Sequence, residues 1–215
     1  MDPFLRFWRA AYAPYEIAGF SGPAFRIPSF SSPLTSPIFW DGKTPVPADV
    51  PHLNLLGEGG PPPGFRRALQ FYLGSATATE RKGREGAVLP LAKALALPGY
   101  WKLLEESFST DALFLKGFLP FLTTLPAKFQ TILLGAEEEP IAAITLGSAG
   151  GVGLCLNAAV ARERRGEGWS RVLIDECHSL GQRENLSELV FWTEHSFLLP
   201  HAKTVLPYQV FVRAN

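Results

Sequence analysis

The spacing of apolar residues changes near residue 129, and the change separates two kinds of predicted structure. Before it, apolar side chains recur at intervals of three and four residues, which is typical of helices that are buried on one side. Pro98 stands at a favoured first-turn position, and Ser109 or Thr110 could cap a helix whose Pro120 predicts a kink or an early stop. The predicted helices cover residues 3–13, 64–73, 88–96, 98–107 and 111–125.

From Phe129 onward, shorter apolar runs and alternation predict strands. Because short turns join the first three, they predict an antiparallel meander, and alternate residues from Val152 to Val160 would share one face of the third. A helix would follow from Trp169 to about Gly181. The fold class is therefore α+β, a mixed sheet with helices. The predicted strands cover residues 129–134, 141–146, 152–160 and 186–192, with turns at 136–140 and 147–151.

The stretch from Gly19 to Gly64 is rich in proline, glycine and serine, yet it retains aromatic residues. Disordered linkers are usually poor in aromatic side chains, so this stretch predicts an ordered, loop-rich wrap with short extended pieces at 24–27 and 37–40. Residues 74–86 are small, polar and charged, which indicates an exposed loop or a boundary. We therefore predict an N-terminal extension, residues 1–85, packed on a core domain, residues 86–215. The aromatic residues of the wrap are Phe20, Phe25, Phe30, Phe39 and Trp40.

Composition narrows the function classes without selecting one. The chain has 20 Lys and Arg against 20 Asp and Glu, so no basic excess favours nucleic-acid binding. No run of about 18 apolar residues predicts a membrane span, and the N-terminus lacks the pattern of a signal peptide. The two cysteines, Cys155 and Cys177, lie in apolar segments, which favours a reducing compartment over a disulfide framework. We expect a cytoplasmic protein without a metal site.

The loop Glu163–Ser170 carries the most specific chemistry in the sequence. It joins a predicted strand to the start of a predicted helix, where unpaired N–H groups and the helix dipole favour an anion. Gly166 and Gly168 would let the backbone approach a bulky ligand closely. Arginines add positive potential around the loop, at positions 162, 164, 165 and 171.

Three strands of a meander, then a glycine loop of the form R/Q-x-x-G-x-G/A and a helix, make up the core of the GNAT superfamily of acyl-CoA-dependent N-acyltransferases. This sequence resembles that order, with Glu163 where Gln or Arg is the signature residue. The segment Val160–Gly168 is similar to the common family form V-x-P-E-Y-R-G-x-G, with Arg162 in place of the usual proline. Trp169 stands at a position that is usually aliphatic. The resemblance covers the C-terminal half of the chain, roughly residues 88–192 in element order.

The resemblance implies that acetyl-CoA, or another acyl-CoA, is the cosubstrate and that no metal takes part. The backbone of residues 165–170 would hold the pyrophosphate, and the edge of the strand Asn157–Val160 would pair with the pantetheine arm. Cys155 and Asn157 could line the cleft. The acceptor would be an amine of a small molecule or peptide, and a homodimer is compatible. The expected cofactor-binding residues are Ala158, Val160, Arg164, Arg165, Gly166, Glu167, Gly168, Trp169 and Ser170.

Candidates for the acid and base follow the loop along the chain. Glu188, Glu194 and His195 lie on or after the predicted last strand, where a base could reach an amine through water. The family often places a tyrosine acid in an L-Y-x-x-x-G-F context, which this sequence lacks. Tyr208 is the one tyrosine of that region. We therefore select Glu194 and Tyr208 as the catalytic candidates.

Two alternatives stay open at this point. Residues 144–153 resemble a glycine-rich dinucleotide-binding turn, with Asp175 ending a second strand, although only 62 residues follow Gly153. This interpretation requires a helix over residues 154–161, whereas the GNAT interpretation requires a strand there. The second alternative is a non-catalytic binding module of GNAT shape, which the missing tyrosine context favours.

Overall fold

The computed structural model describes residues 2–20, 22–26, 36–79, 86–108, 112–193 and 202–214, with the side chains of 112–114 excepted. The chain divides into two units: Met1–Ala11 with Thr77–Val190, and Tyr12–Ala76 with Phe191–Asn215. The helices are α1 Pro3–Tyr12, α2 Leu91–Ala94, α3 Pro98–Ser107, α4 Ala112–Leu122 and α5 Trp169–Arg183. The strands are β1 Glu16–Ile17, β2 Ala24–Phe25, β3 His52–Leu56, β4 Phe65–Thr77, β5 Ala87–Pro90, β6 Lys128–Gly135, β7 Pro140–Ala149, β8 Val152–Val160, β9 Glu188–Thr193 and β10 Thr204–Arg213.

The first unit contains the predicted meander. Its strands lie in the order β9-β8-β7-β6-β5, and β5 to β8 pair antiparallel. The helix α5 connects β8 to β9, and the amide of Ser187 donates to the carbonyl of Gly151 at the start of β8. Because β9 starts beside the start of β8, the two strands run in the same direction across a helical crossover. This geometry carries the chain from the end of β8 directly into the N-terminus of α5.

The helix α1 contributes its apolar side to the core of the first unit. The ring of Phe7 is 1% exposed and meets Phe129 edge to face, with centroids 6.4 Å apart. Gly147 permits this approach, since a Cβ there would lie 2.5 Å from Phe129. On the other side, Arg6 forms a 2.6 Å ion pair with Glu188.

The second unit is built on the antiparallel strands β3, β10 and β4. Asn54, fully buried on β3, accepts a hydrogen bond from the amide of Ile38 and donates its Nδ2 to the Tyr208 hydroxyl at 2.7 Å. These bonds anchor the segment around Phe39, whose ring packs against Tyr208. Residues from the described part of the proline-rich stretch thus form part of the buried core of this unit. Phe30 lies outside the described residues.

The helix predicted over residues 64–73 is wrong, because residues 65–73 belong to the strand β4. Leu69 pairs with Val210 and Arg67 with Phe211, so Ala68 is an extra residue in a β-bulge. The bulge shifts the alternation by one position, and the apolar residues then recur at intervals that imitate a helix. Pairing with β10 supplies the backbone hydrogen bonds that a helix would have made.

The helix predicted over 88–96 is mostly wrong as well. Residues 87–90 pair with β6, and only the short α2 follows them. Pro90 stands at the N-cap of α2 in an extended conformation, because proline disfavours a helical interior. The helices predicted over 3–13 and 98–107 are confirmed. The last, over 111–125, is confirmed as α4, which ends two residues after Pro120; its predicted caps, Ser109 and Thr110, lie outside the described residues.

Glycine-rich segments were predicted as turns over too many residues. The strand β7 continues to Ala149, and the turn consists of Gly150 and Gly151, with φ of 56° and 72°. Two consecutive left-handed residues form the tight turn that suits the twist of a hairpin. Similarly, β4 extends through Thr77 into the segment 74–86, which was predicted as a loop.

Candidate functional site

The strand β8 contains a β-bulge near its C-terminal end. Ala143 faces Ala159 and Thr145 faces Leu156, so Asn157 and Ala158 together oppose the single residue Ile144. Asn157 takes a left-handed conformation with φ of 52°. The predicted shared face of the strand is therefore wrong beyond Leu156: Ala158 is exposed, whereas Ala159 is buried.

Between β8 and the helix α5, the chain forms a short turn that is followed by two glycines in left-handed conformations. Arg162–Arg164 form a 3-10 turn, closed by the amide of Arg164 on the carbonyl of Ala161 at 2.9 Å. Gly166 and Gly168 have φ of 86° and 87°, a region that favours glycine strongly. A Cβ placed on either glycine would meet no atom within 4 Å. Both glycines thus border open space at the entrance to α5.

The N-terminus of α5 is capped by the backbone alone. Gly168 is the N-cap residue, and its carbonyl accepts from the amides of Arg171 and Val172 at 3.0 and 3.3 Å. No side chain caps this end, and no acidic residue lies in the first turn. The partial positive charge of the helix end faces solvent, and the carboxylate of Glu167, just before the N-cap, is engaged by Arg164 and Trp169. Such a helix end is a favourable place for a phosphate.

Three side chains fix the shape of the loop. The carboxylate of Glu167 accepts from Trp169 Nε1 at 3.0 Å and pairs with Arg164 Nε at 3.1 Å. The Arg164 guanidinium also lies 5.8 Å from the centre of the Trp169 ring. Arg164, Glu167 and Trp169 thus contact one another and hold the glycine turn from one side.

The remaining arginines keep positive charge near the open side. Arg165 is exposed, and its Nε donates to the carbonyl of Val160 at 3.1 Å, which ties the loop to the end of β8. Arg162 and Arg171 are exposed. Residues 162–171 contain four arginines and two glutamates, Glu163 and Glu167, so the segment carries a formal charge of +2.

These features fit the pyrophosphate of an acyl-CoA. A phosphate needs N–H donors, positive charge and room for its oxygens, and the loop provides a helix end without a side-chain cap, exposed arginines and open space over two glycines. Ser170 is exposed in the first turn of α5, where its hydroxyl can add a donor. The predicted cofactor-binding residues 164–170 run from the 3-10 turn through the glycines into the first turn of α5, and Ala158 and Val160 lie at the end of β8.

The predicted catalytic residues occupy different positions. Glu194 and His195 lie outside the described residues. Glu188 is engaged in the ion pair with Arg6. Tyr208 is fully buried on β10, where burial raises the pKa of its phenol and the hydrogen bond from Asn54 partly opposes that shift. Its role as an acid stays a prediction.

Both cysteines are buried in the core, so the prediction that Cys155 lines the cleft is wrong. Burial raises the pKa of the Cys155 thiol, and the neighbouring Cys177 thiol adds to the shift. Both thiols are free. Among the described residues, no three His, Cys, Asp or Glu side chains are placed to hold a metal ion.

The structure rejects the dinucleotide-binding alternative. Residues 154–160, which that interpretation makes helical, form the strand β8. Asp175, which should end a strand, lies in the middle of α5. The strand that the GNAT interpretation requires is therefore the one observed.

Two solved structures that align with nearly the whole chain are described as GNAT-family acetyltransferases. A GCN5-related N-acetyltransferase from Kribbella flavida aligns with a TM-score of 0.63 and 13% identity over 99% of this chain and 93% of its own. A protein assigned to the GNAT family of acetyltransferases, from Novosphingobium aromaticivorans, aligns with a TM-score of 0.55 and 12% identity over 100% of both chains. The chain has the GNAT fold. A conserved protein of unknown function from Staphylococcus epidermidis is also similar, with a TM-score of 0.51 and 9% identity over 77% of this chain and 73% of its own.

The structural likeness to GNAT proteins is broader than the sequence predicted. It covers nearly the whole chain, whereas the sequence resemblance was confined to the C-terminal half. No protein-family model matches the chain, and no curated protein has a significantly similar sequence. The GNAT fold is thus apparent from the structure and from the short motif, at 12–13% identity to these two relatives.

Sequence reasoning did not identify the bulge at Asn157. Its signal was weak but present: asparagine is one of the few residues that tolerate a left-handed conformation, and the apolar alternation ends at Leu156. The cluster of Arg164, Glu167 and Trp169 was also missed, since side-chain pairing within a loop leaves no periodic signal.

Proposed function

We propose that this protein is an acyl-CoA-dependent N-acyltransferase that transfers an acetyl group to an amine. One observation carries the proposal. A bulged strand is followed along the chain by two left-handed glycines that border open space, and then by a helix N-terminus without a side-chain cap. In a GNAT fold, this is the place where acyl-CoA is held. The GNAT relatives reported above are named as acetyltransferases, which supports acetyl-CoA as the donor.

The residues of the loop would act mainly by positioning. The amides at the start of α5, together with exposed Arg165 and Arg171, would bind the pyrophosphate by charge-assisted hydrogen bonds. The backbone of Ala158 and Val160, beyond the bulge, would pair with the pantetheine arm as an added strand does. Holding the thioester at a fixed place makes the attack by an amine effectively unimolecular.

The reaction needs little covalent chemistry from the protein. The amine nitrogen forms a bond to the thioester carbonyl carbon, the carbon–sulfur bond breaks, and the amine loses a proton while the thiol gains one. We assign the proton transfers to Glu194 as base and Tyr208 as acid. The acceptor is an amine of a small molecule or a peptide.

The experiment that tests this function is a thiol-release assay. Purified protein and acetyl-CoA are incubated with a panel of primary amines, amino acids and peptides with free N-termini, and free CoA thiol is measured. We expect amine-dependent release that saturates with acetyl-CoA and disappears in Gly168→Glu. Release that no amine stimulates, in a protein that binds acetyl-CoA, would contradict catalysis.

The complete burial of Tyr208 favours a second candidate function, a GNAT-shaped module that binds an acyl-CoA without catalysis. An acid must reach the leaving thiolate, and Tyr208 is 0% exposed and hydrogen-bonded to Asn54. The thiol-release assay separates the two candidates, because the module predicts binding of acetyl-CoA with no turnover.

A further inference from the structure

Glu167 is an acidic residue at the place where the proposed function puts an anion. It lies between the two left-handed glycines, directly before the N-cap residue Gly168. A carboxylate near a helix N-terminus is stabilised by the same amides and the same dipole that favour a phosphate. The carboxylate of Glu167 is therefore a competitor, built into the chain, for the site that the pyrophosphate of an acyl-CoA would occupy.

Two side chains of the same loop hold this carboxylate. Its Oε2 atom accepts a hydrogen bond from Trp169 Nε1 at 3.0 Å and lies 3.1 Å from Arg164 Nε. The Arg164 guanidinium lies 5.8 Å from the centre of the Trp169 ring, so the two partners of the carboxylate also contact each other. Because the three side chains come from residues 164–169, the cluster is local to the loop that it shapes.

The cluster contributes little to the stability of the fold, and its main effect is on where the carboxylate lies. The side chains of Arg164 and Glu167 are 43% and 46% exposed, and ion pairs with that exposure stabilise a protein only weakly. The indole N–H of Trp169 can only donate, and it carries no charge. It therefore fixes the direction of the carboxylate without attracting or repelling a phosphate itself.

We propose that Trp169 and Arg164 hold the Glu167 carboxylate away from the phosphates, and so keep the N-terminus of α5 open for the pyrophosphate of acyl-CoA. This inference rests on the proposed function. Trp169 and Arg164 are then positioning residues that act on the ligand through Glu167. Exposed Arg171, in the first turn of α5, acts on the phosphates directly. An aliphatic residue, which is usual at position 169 in the family, could not supply the N–H donor.

Four variants separate these roles. Trp169→Phe keeps an aromatic ring and the charge of the loop, and removes the N–H donor. Glu167→Gln removes the charge of the competitor and keeps an acceptor oxygen. Arg171→Gln removes a charge that acts on the phosphates. Trp101→Phe is the matched control, because Trp101 is also half-buried and its Nε1 donates to the carbonyl of Leu95 at 2.8 Å, in a segment remote in sequence from the loop.

The measurement is the Kd for CoA and for acetyl-CoA by titration calorimetry, with Trp169→Phe and Arg171→Gln each made in the wild type and in the Glu167→Gln background. In the wild type, Trp169→Phe should raise both Kd values roughly fivefold, because the released carboxylate competes for the helix end. In the Glu167→Gln background the same change should raise them by less than about twofold, since the charged competitor is gone. Arg171→Gln should raise them about tenfold in both backgrounds, and Trp101→Phe should match the wild type. Thermal melts without ligand verify that each variant is folded.

Two results would overturn the inference and leave the proposed function intact. Unchanged affinity in folded Trp169→Phe would show that the Glu167 carboxylate does not compete with the phosphates. An equal loss of affinity in both backgrounds would show that Trp169 acts on the ligand or on the loop by itself, and not through Glu167. In both cases the wild type still binds acetyl-CoA. A wild type that binds neither CoA nor acetyl-CoA would contradict the proposed function, and this inference with it.

Discussion

At the residue scale, the buried position of Tyr208 limits the chemistry that its side chain can perform. Its ring stacks with Phe71 and Trp192, with centroids 6.3 Å away in each case, and its hydroxyl accepts from Asn54. The sequence identified this tyrosine as a candidate acid because it was the only one in its region. The sequence could not show that neighbouring strands bury it completely, since those contacts are distant along the chain.

The burial of Tyr208 predicts a specific dependence of stability on pH. Because its pKa is raised in the folded state, its contribution to stability is intact below the ordinary pKa of about 10 and falls as the pH rises above that value. At neutral pH, Tyr208→Phe should lower the free energy of unfolding by about 1 kcal/mol, because the hydrogen bond from Asn54 is lost. Above about pH 10, however, its free energy of unfolding should fall less steeply than that of the wild type, by up to about 1.4 kcal/mol per pH unit.

Urea unfolding of both proteins from about pH 8 to about pH 11 measures the difference. The buried Tyr12 and Tyr100 have raised pKa values as well and remain in both proteins, so only the difference between the curves reports Tyr208. Curves that run parallel through alkaline pH would contradict the account.

At the scale of elements, the sequence predicted the helices and strands in which the spacing of apolar residues is uninterrupted. The helices α1, α3 and α5 and the strand β6 followed from spacing and from turn residues. Two errors occur where a bulge changes the phase, in β4 at Ala68 and near the end of β8 at Asn157. A bulge depends on the partner strand, and the partner is not visible in a local window of sequence. The glycine loop was predictable because its requirement for positive φ is local to the chain.

Two contacts hold α1 within the first unit, a buried aromatic contact and a partly exposed ion pair, and variants can compare how much each stabilises the protein. Phe7 is buried against Phe129, whereas the Arg6–Glu188 pair is partly exposed, at 37% and 34%. An exposed ion pair contributes about 0–1 kcal/mol, but truncating a buried phenylalanine costs about 3–5 kcal/mol. Phe7→Ala should therefore lower the free energy of unfolding several times more than Arg6→Gln, as measured in urea.

Equal losses from the two variants would show that the ion pair, and not the ring, holds α1. Phe129→Ala serves as the companion variant, because it removes the other ring of the same contact. Its loss should be of similar size to that of Phe7→Ala, and the double variant should lose less than the sum, since the shared contact is removed only once.

At the scale of the whole molecule, the two units are interleaved along the chain. The first unit contains residues 1–11 and 77–190, and the second unit contains residues 12–76 and 191–215. The sequence predicted a single boundary near residue 86, because a change in composition is a local signal. The pairing of β3 and β4 with the C-terminal β10 joins segments about 150 residues apart, which composition does not reveal. No helix among the described residues is long and apolar enough to cross a membrane.

This interleaving predicts that the N-terminal segment is required for folding. Deleting residues 1–60 removes Phe7 from the first core and β3 from its pairing with β10, and leaves Phe211 without the buried Leu53 and Leu55 that share its cluster. We expect insoluble protein, because apolar surface and an unpaired strand edge become exposed together. A soluble truncation that melts cooperatively would contradict this expectation. A version that lacks only Met1 and Asp2 is the control and should remain soluble.

The measurement that tests the central claim most directly is a thermal melt with and without acetyl-CoA, with NAD and NADP beside it, on three proteins. The wild type should gain several degrees with acetyl-CoA and none with the dinucleotides, because a ligand that binds only the folded state raises the midpoint. Gly168→Glu places a carboxylate in the open space at the start of α5, whereas Gly151→Glu makes the same change at a left-handed glycine in the β7–β8 turn. We predict that the shift disappears in Gly168→Glu and persists in Gly151→Glu. A wild type that acetyl-CoA does not stabilise, or a shift that survives in Gly168→Glu, would contradict the assignment of this loop as the acyl-CoA site.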